Sequence, residues 1–314
     1  MTERYLTINA FLKQKFDAKF VKLAIDGGFT CPNRDGTLSF GGCLFCSELG
    51  SGEFTGLNHE SRCRQATRDV VSQIDVQKRL MQNKWDSEHY IAYFQNFTNT
   101  YEDVSVLKSI YDSALMDPNI EGLAISTRAD CVNDEVIELL KTYRSLDVFW
   151  VEMGLQTTLE ESRRYLNLHQ SLSQFSKVAK KLKEAEIPLV IHVIAGIPNE
   201  TKADFLKTIE YVNQLAPFGI KIHMLNILKG TALGRIYEER PFDLLTREVY
   251  IEWVCEALTY LSPEITVHRL TGDGAKNLII EPKWVMDKRS VLNGISKYLS
   301  KHDFKQGSKI NNVV

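Results

Sequence analysis

Short apolar, β-branched runs alternate along this chain with longer stretches in which apolar residues recur every three or four positions. The short runs predict strands at 21–26, 90–97, 122–126, 148–154, 189–195 and 221–228, with a further run at 265–270. The longer stretches predict helices at 63–80, 104–116, 134–146, 175–185, 205–215 and 249–261. Asn133 precedes an apolar stripe that begins with Val136 and Ile137, which is the signature of an N-cap. Strand followed by helix, repeated about six times, predicts βαβ units around a parallel sheet. The fold expected is α/β, an incomplete (β/α)6 TIM-like barrel, because a full barrel needs eight units; an open Rossmann sheet is the competing arrangement. Residues 1–282 form the barrel domain in this reading. Residues 283–314 form a basic helical tail, packed on the barrel or extending from it.

In either arrangement, ligands sit beyond the C-terminal ends of the strands. The polar residues of the predicted strands fall there. The second ends in Gln95-Asn96-Phe97-Thr98-Asn99, and the third in Ser126-Thr127-Arg128-Ala129-Asp130. The fourth carries Glu152 and then Gly154-Leu155-Gln156. The fifth carries His192 and ends in Ala195-Gly196-Ile197-Pro198. The sixth holds His223 and Asn226. Such groups inside strands are costly without partners. Clustered at one mouth, they make a site.

Composition narrows the class without naming it. Hydrophobic residues make up 44% and charged residues 25%, an ordinary globular balance. The start has no basic segment followed by an apolar run, and no stretch is long enough to span a membrane, so the expected compartment is the cytosol. Net charge is −2, which does not announce nucleic-acid binding. The distribution is less neutral: residues 283–314 hold seven Lys/Arg and two Asp, so the tail is basic and the body acidic. Such a tail can meet phosphates or simply form a solvated helix face.

The cysteines change the picture most. Cys31-x11-Cys43-x2-Cys46 lies in Thr30-Cys31-Pro32-Asn33-Arg34-Asp35-Gly36 and Gly41-Gly42-Cys43-Leu44-Phe45-Cys46. In a reducing compartment a cysteine cluster binds metal or does chemistry more often than it forms disulfides. Three thiolates can hold a [4Fe–4S] cluster and leave its fourth iron open. Zinc is the rival: Cys43-x2-Cys46-x12-His59-x3-Cys63 has the spacing of a four-ligand site. That reading leaves Cys31 over and does not account for the polar strand ends. Cys131 and Cys255 stand alone and read as small buried hydrophobes.

Three cysteines after a first strand, followed by a series of βα units, resemble the radical S-adenosylmethionine (SAM) superfamily. The usual spacing there is C-x3-C-x2-C; the eleven-residue first gap resembles the elongator catalytic subunit and its bacterial relatives. The wording at 28–37, with Asn96-Phe97-Thr98-Asn99-Thr100-Tyr101, Ser126 to Asp130, Gly154 to Thr157 and His192 to Pro198, is similar to the YhcC/YtqA-like subgroup. The resemblance runs from about Tyr5 to about Glu281.

It implies a [4Fe–4S] cluster on Cys31, Cys43 and Cys46, cleavage of SAM to a 5′-deoxyadenosyl radical, and hydrogen abstraction from a substrate. It implies Phe45 on the adenine side, and Asn96 and Thr98 in place of a Gly-Gly-Glu-like motif at the amino group. It further implies Ser126, Arg128, Glu152, Gln156, His192 and Gly196 around SAM. No catalytic hydrogen-transfer residue follows from it. Some relatives place an arginine about twelve residues beyond Gln156 to pair with the SAM carboxylate; this chain has Leu168 there, with Arg128, Arg163, Arg164 or His169 as substitutes. The substrate implied is tRNA, at the C5 substituent of a wobble uridine, with carboxymethylaminomethyl processed towards aminomethyl. The barrel uses nearly the whole chain, which argues against acetyl-CoA use. An electron donor such as flavodoxin or ferredoxin is the implied redox partner. A radical SAM enzyme on a small metabolite such as a porphyrinogen, and a non-catalytic zinc module that binds RNA or protein, are the other two readings.

Overall fold

A computed structural model describes residues 4–50, 52–57, 66, 68–82, 84–272 and 274–310. β1 (Phe20–Ile25), β2 (His89–Phe94), β3 (Ile120–Thr127), β4 (Val148–Gln156), β5 (Leu189–Ala195) and β6 (Gly219–Met224) lie side by side in that order, every pair parallel. β7 (Ile227–Leu228) leaves the sheet, and β8 (Thr266–Arg269) returns to pair with β6 as a seventh parallel strand. β7 pairs antiparallel with β9 (Ile279–Glu281) in a separate ribbon. The expected incomplete barrel is present, with the further run at 265–270 supplying its last strand.

The sheet has two unlike faces because side chains alternate along each strand. Phe149, Val151, Met153 and Leu155 of β4 point outward with Leu189, Ile191 and Val193 of β5. They pack with residues of the helices α2 (Val70–Gln82), α3 (Val104–Ala114), α4 (Asp134–Lys141), α6 (Leu172–Glu184), α7 (Lys202–Leu215) and α9 (Arg247–Tyr260). α5 (Glu160–Tyr165) and α8 (Ala232–Glu239) are short elements near the strand ends. On the inner face Val148, Trp150, Ile91 and Phe20 meet Ile8 and Leu12 of α1 (Ile8–Phe16), which plugs the N-terminal end of the half-barrel. Thr7 starts that plug twice over: its hydroxyl accepts from the Ala10 N–H at 3.0 Å, and its backbone bridges to Val267 of β8.

Local signals explain the boundaries. Asn133 is the N-cap of α4, its side chain accepting from the Val136 N–H at 2.8 Å. The expected strand at 90–97 stops at Phe94 because the Asn99 amide donates to the carbonyls of Phe94, Asn96 and Ser126 and builds a turn there, with Phe97 at φ +55°. The expected strand at 221–228 is two elements: its apolar run is continuous, but β6 ends at Met224 and Ile227–Leu228 find their backbone partners in β9.

In the tail, α10 (Lys288–Lys301) buries Val291, Ile295 and Leu299 in the main core, where Gly294 lies against Ile251 of α9. Lys297 and Lys301 are exposed on that helix, whereas Lys305 lies beyond its end. Among the described residues no helix is long and apolar enough to cross a membrane.

Candidate active site

The loop after β1 carries the three cysteines, and the Asn-Arg pair beside Cys31 holds it in shape. Asn33 donates from Nδ2 to Cys43 Sγ at 3.4 Å and to the Asn167 carbonyl at 2.6 Å, while its own carbonyl takes the Gly42 N–H at 2.7 Å. Arg34 donates to the Ser47 carbonyl at 2.6 Å and the Glu48 carbonyl at 3.3 Å. The chain reverses through Gly41 and Gly42, both at φ +82°, a conformation that favours glycine. Asn167 returns a bond to the Gly42 carbonyl at 2.8 Å, Leu44 donates to Leu166, and Leu233 donates to Leu44. The Cys43–Cys46 turn is thereby tied to the α5 end and to α8. Burial pushes the Cys43 thiol up, against the pull of Arg128 and the Asn33 bond. Burial pushes Cys46 up to about 12, with Cys43 adding and Arg34 opposing.

Beneath the loop the inner sheet face turns from apolar to charged. Glu152, on β4, is fully buried. Its Oε1 accepts from Trp150 Nε1 at 2.8 Å; its Oε2 accepts from Tyr93 Oη at 2.8 Å, His192 Nε2 at 2.8 Å, Ser126 Oγ at 3.4 Å and the Lys221 ammonium. Lys221 also donates to Tyr93 Oη at 3.0 Å. The register explains the convergence: Ser126 is opposite Glu152, and His192 is opposite Lys221. Burial alone would raise the Glu152 carboxyl, but the Lys221 ammonium, His192 and Lys22 outweigh it and hold it well below the usual range. Burial lowers His192 to about 4, Lys221 adds to this, and Glu152 opposes it. His223 and His268 are lowered in the same way, burial first.

One cavity, about 1480 Å³ including its open mouth, brings loop and layer together. Its walls include Cys31, Cys43 and Cys46, and of the residues expected around a ligand also Phe45, Thr98, Ser126, Arg128, Glu152, Gln156 and His192. Gln156 reaches it through an irregularity where β4 slips against β5, at φ +67°. Asn96 and Gly196 are not among its walls. Asn96 turns to Asp26 Oδ2 at 2.9 Å, and Gly196 sits against Leu245.

Of the four side chains that could replace an arginine at Leu168, Arg128 alone lines the cavity. It is held by Asp130 at 2.9 and 2.7 Å and by the Leu168 carbonyl at 3.0 Å. Arg163 is buried on the carbonyls of Leu155, Thr157 and Gln170, while Arg164 and His169 are exposed. His59 and Cys63 of the zinc spacing lie outside the described residues.

The structure adds walls that the sequence reading did not name as site residues: Tyr93, Lys221, Leu225 and Arg269. The available signal was a lysine in an otherwise apolar strand, two residues before His223 and so on the same face.

The donor set suits an iron–sulfur group. Three part-buried thiols border one cavity, burial pushes those of Cys43 and Cys46 up, and a bound metal supplies the positive charge that favours thiolates. Among the described residues no three His, Cys, Asp or Glu side chains gather closely enough to hold a single metal ion; a four-iron cluster is wider than one ion. The cavity also suits a polar ligand. Thr98 Oγ1, Glu53 Oε1, His223 Nε2 and Asn226 Oδ1 are buried in its walls without a hydrogen-bond partner among the described residues.

Comparison with known proteins agrees. The Radical SAM superfamily matches residues 31–212, and the Radical SAM C-terminal domain matches residues 217–301. Protein YtqA of Bacillus subtilis (strain 168) is 39% identical over 305 residues, covering 97% of this chain and 92% of that protein. Protein YhcC of Escherichia coli (strain K12) is 31% identical over 300 residues, covering 95% and 93%. The tRNA uridine(34) acetyltransferase of Methanocaldococcus jannaschii is 24% identical over 188 residues, 59% of this chain and 34% of that protein. Among solved structures, the archaeal Methanocaldococcus infernus Elp3 with an N-terminal deletion has a TM-score of 0.65 at 15% identity, a likeness of fold. It covers 91% of this chain, and this chain spans 64% of its length.

Proposed function

Because the chain belongs to the radical SAM superfamily, we propose that Cys31, Cys43 and Cys46 ligate one [4Fe–4S] cluster, that SAM binds beside it, and that the substrate is the C5 side chain of a wobble uridine in tRNA. Bound together, the family's cluster and SAM supply a 5′-deoxyadenosyl radical that takes a hydrogen atom from substrate. The chain's own residues bind, orient and exclude water. Asn33 and Arg34 fix the loop that presents the thiols. Arg128, its fork already aligned by Asp130, faces the SAM carboxylate. Thr98, Ser126 and Gln156 offer hydroxyl and amide groups to the amino group and ribose, and Phe45 covers the adenine. Glu152 is satisfied by five protein donors, so its role is positioning: it orients Tyr93, His192 and Lys221 beneath the reacting groups.

The observation that carries this reading is the meeting of three thiols, Arg128 and unpartnered polar atoms in one cavity. The tRNA part draws support from the similarity to tRNA uridine(34) acetyltransferase. On this reading the step processes carboxymethylaminomethyl towards aminomethyl, the protein works in the cytosol, and a low-potential donor such as flavodoxin or ferredoxin reduces it. Nucleoside analysis of tRNA from a strain lacking the protein tests the substrate. Accumulation of carboxymethylaminomethyluridine is expected; an unchanged nucleoside profile contradicts the tRNA reading.

A further inference from the structure

The unpartnered atoms of the cavity fall into two groups. Thr98 and Glu53 belong to the side of the cysteine loop and β2. His223 and Asn226 lie at the end of β6, at the other side of the row of strands. Next to them the inner layer is saturated: His192 is anchored on Glu152, and Lys221 on Glu152 and Tyr93. The His223 ring lies 5.3 Å from the His192 ring, yet its Nε2 has no hydrogen-bond partner among the described residues. Asn226 packs against Gly272, where even a Cβ would meet its amide at 2.9 Å, so the side chain is held while its Oδ1 stays unmatched. A buried polar atom without a partner costs free energy that a ligand can return.

We infer that His223 and Asn226 form the specificity-determining edge for the substrate base, and that they select an imide edge, a carbonyl beside an N–H, as uracil presents. Lys221 and Arg269 flank His223 in the same wall, so the exocyclic group beside it is favoured as an electronegative carbonyl and disfavoured as an amino group. His223 donates to that carbonyl, and Asn226 Oδ1 accepts from the neighbouring ring N–H. The same electrostatics turn away cytosine and the amino edge of adenine, which separates this edge from the SAM site. The assignment rests on the radical SAM and tRNA reading above and deepens it.

The test uses the anaerobically reconstituted holoenzyme with SAM and two synthetic anticodon stem-loop RNAs that differ only in uridine or cytidine at the wobble position. Binding is followed by fluorescence anisotropy. The wild type is expected to prefer uridine by about tenfold or more, as a site built to hydrogen-bond a group rejects its absence. Asn226→Leu and His223→Phe are expected to reduce the preference to about twofold or less, with SAM affinity held. Asn226→Asp, which keeps the acceptor and is nearly isosteric, is expected to retain it. A full uridine preference in Asn226→Leu overturns the assignment. A parallel loss of SAM affinity gives the pair to the cofactor and overturns it too. A wild type that binds RNA without distinguishing the two bases overturns the assignment and leaves the tRNA reading standing. A wild type that binds neither RNA overturns the tRNA reading and the assignment with it.

Discussion

The two faces of one sheet have opposite chemistries. Outward, β5 presents Leu189, Ile191 and Val193 to a continuous apolar core; inward, the same strand presents Val190, His192 and Ile194 in order towards the cavity. The outer face gains stability from area removed from water, spread over many equivalent contacts. The inner face is graded along the strands: apolar where α1 plugs it, charged at mid-height, open where the cysteines sit. Its charged tier stays folded only because each group completes another. The outer face is therefore tolerant and replaceable, whereas the inner face holds few, strongly coupled groups.

That contrast is sharpest under mutation. Burial draws the Lys221 amine down and Glu152 opposes this, so Glu152→Gln leaves that buried amine without its counter-charge and is expected to cost about 3–5 kcal/mol, read by denaturant unfolding of the apoprotein. Adding Lys221→Met to Glu152→Gln removes the stranded amine while an amide oxygen still accepts from the buried donors around it, and is expected to recover most of that loss. A loss under 1 kcal/mol in the single variant would break the contrast.

The pH dependence follows from the same tier. His192 titrates near 4 when folded and near 6.5 when unfolded. Between those values the unfolded chain binds the extra proton, so stability falls as pH drops from about 6.5 to about 4 and is flat from this source above 6.5. Lowered His223 and His268 act in the same direction, and the depressed Glu152 carboxyl adds a loss below its unfolded value of 4.5. His192→Asn is expected to flatten part of that slope in unfolding curves taken across the window. An unaltered slope would show that His192 is not in the environment described.

On the outer face, Ile191→Val is expected to cost only about 0.5–1.5 kcal/mol and to leave SAM affinity unchanged. The smallest effect on folding belongs to the tail. Replacing Lys297, Lys301 and Lys305 by Ser is expected to leave the unfolding midpoint where it is, because all three are exposed. If the tail meets tRNA, the same variant lowers the salt slope of RNA binding by about two or three units. An unchanged slope would move RNA contact to the barrel rim.

The outer face was legible in the sequence because apolar periodicity reports burial directly. Asn133, the apolar run of β5 and the stripe of α9 were enough to locate their elements. The cysteine loop was legible from its spacing, although nothing in the spacing shows that Asn33 reaches Cys43 and Asn167. The lysines and the tyrosine of the charged tier were hidden for a physical reason. Ser126, Glu152 and His192 stood out as polar residues of the strands, but Lys22 and Lys221 sit in runs that read as apolar strands, and only the parallel register shows that they and Tyr93 join them. Asn96 was drawn towards the site by the resemblance and its place at a strand end; its bond to Asp26 depends on a turn that Asn99 builds.

The central claim is that Cys31, Cys43 and Cys46 together hold one cluster that serves SAM cleavage. The most direct measurement is iron and sulfide content, with 5′-deoxyadenosine formation, for the anaerobically purified wild type beside Cys31→Ala, Cys43→Ala, Cys46→Ala and Cys63→Ala. About four irons per chain are expected in the wild type and in Cys63→Ala, with nearly all iron and product lost in each of the other three. Metal retained in Cys31→Ala and lost in Cys63→Ala would contradict the account and give the site to zinc.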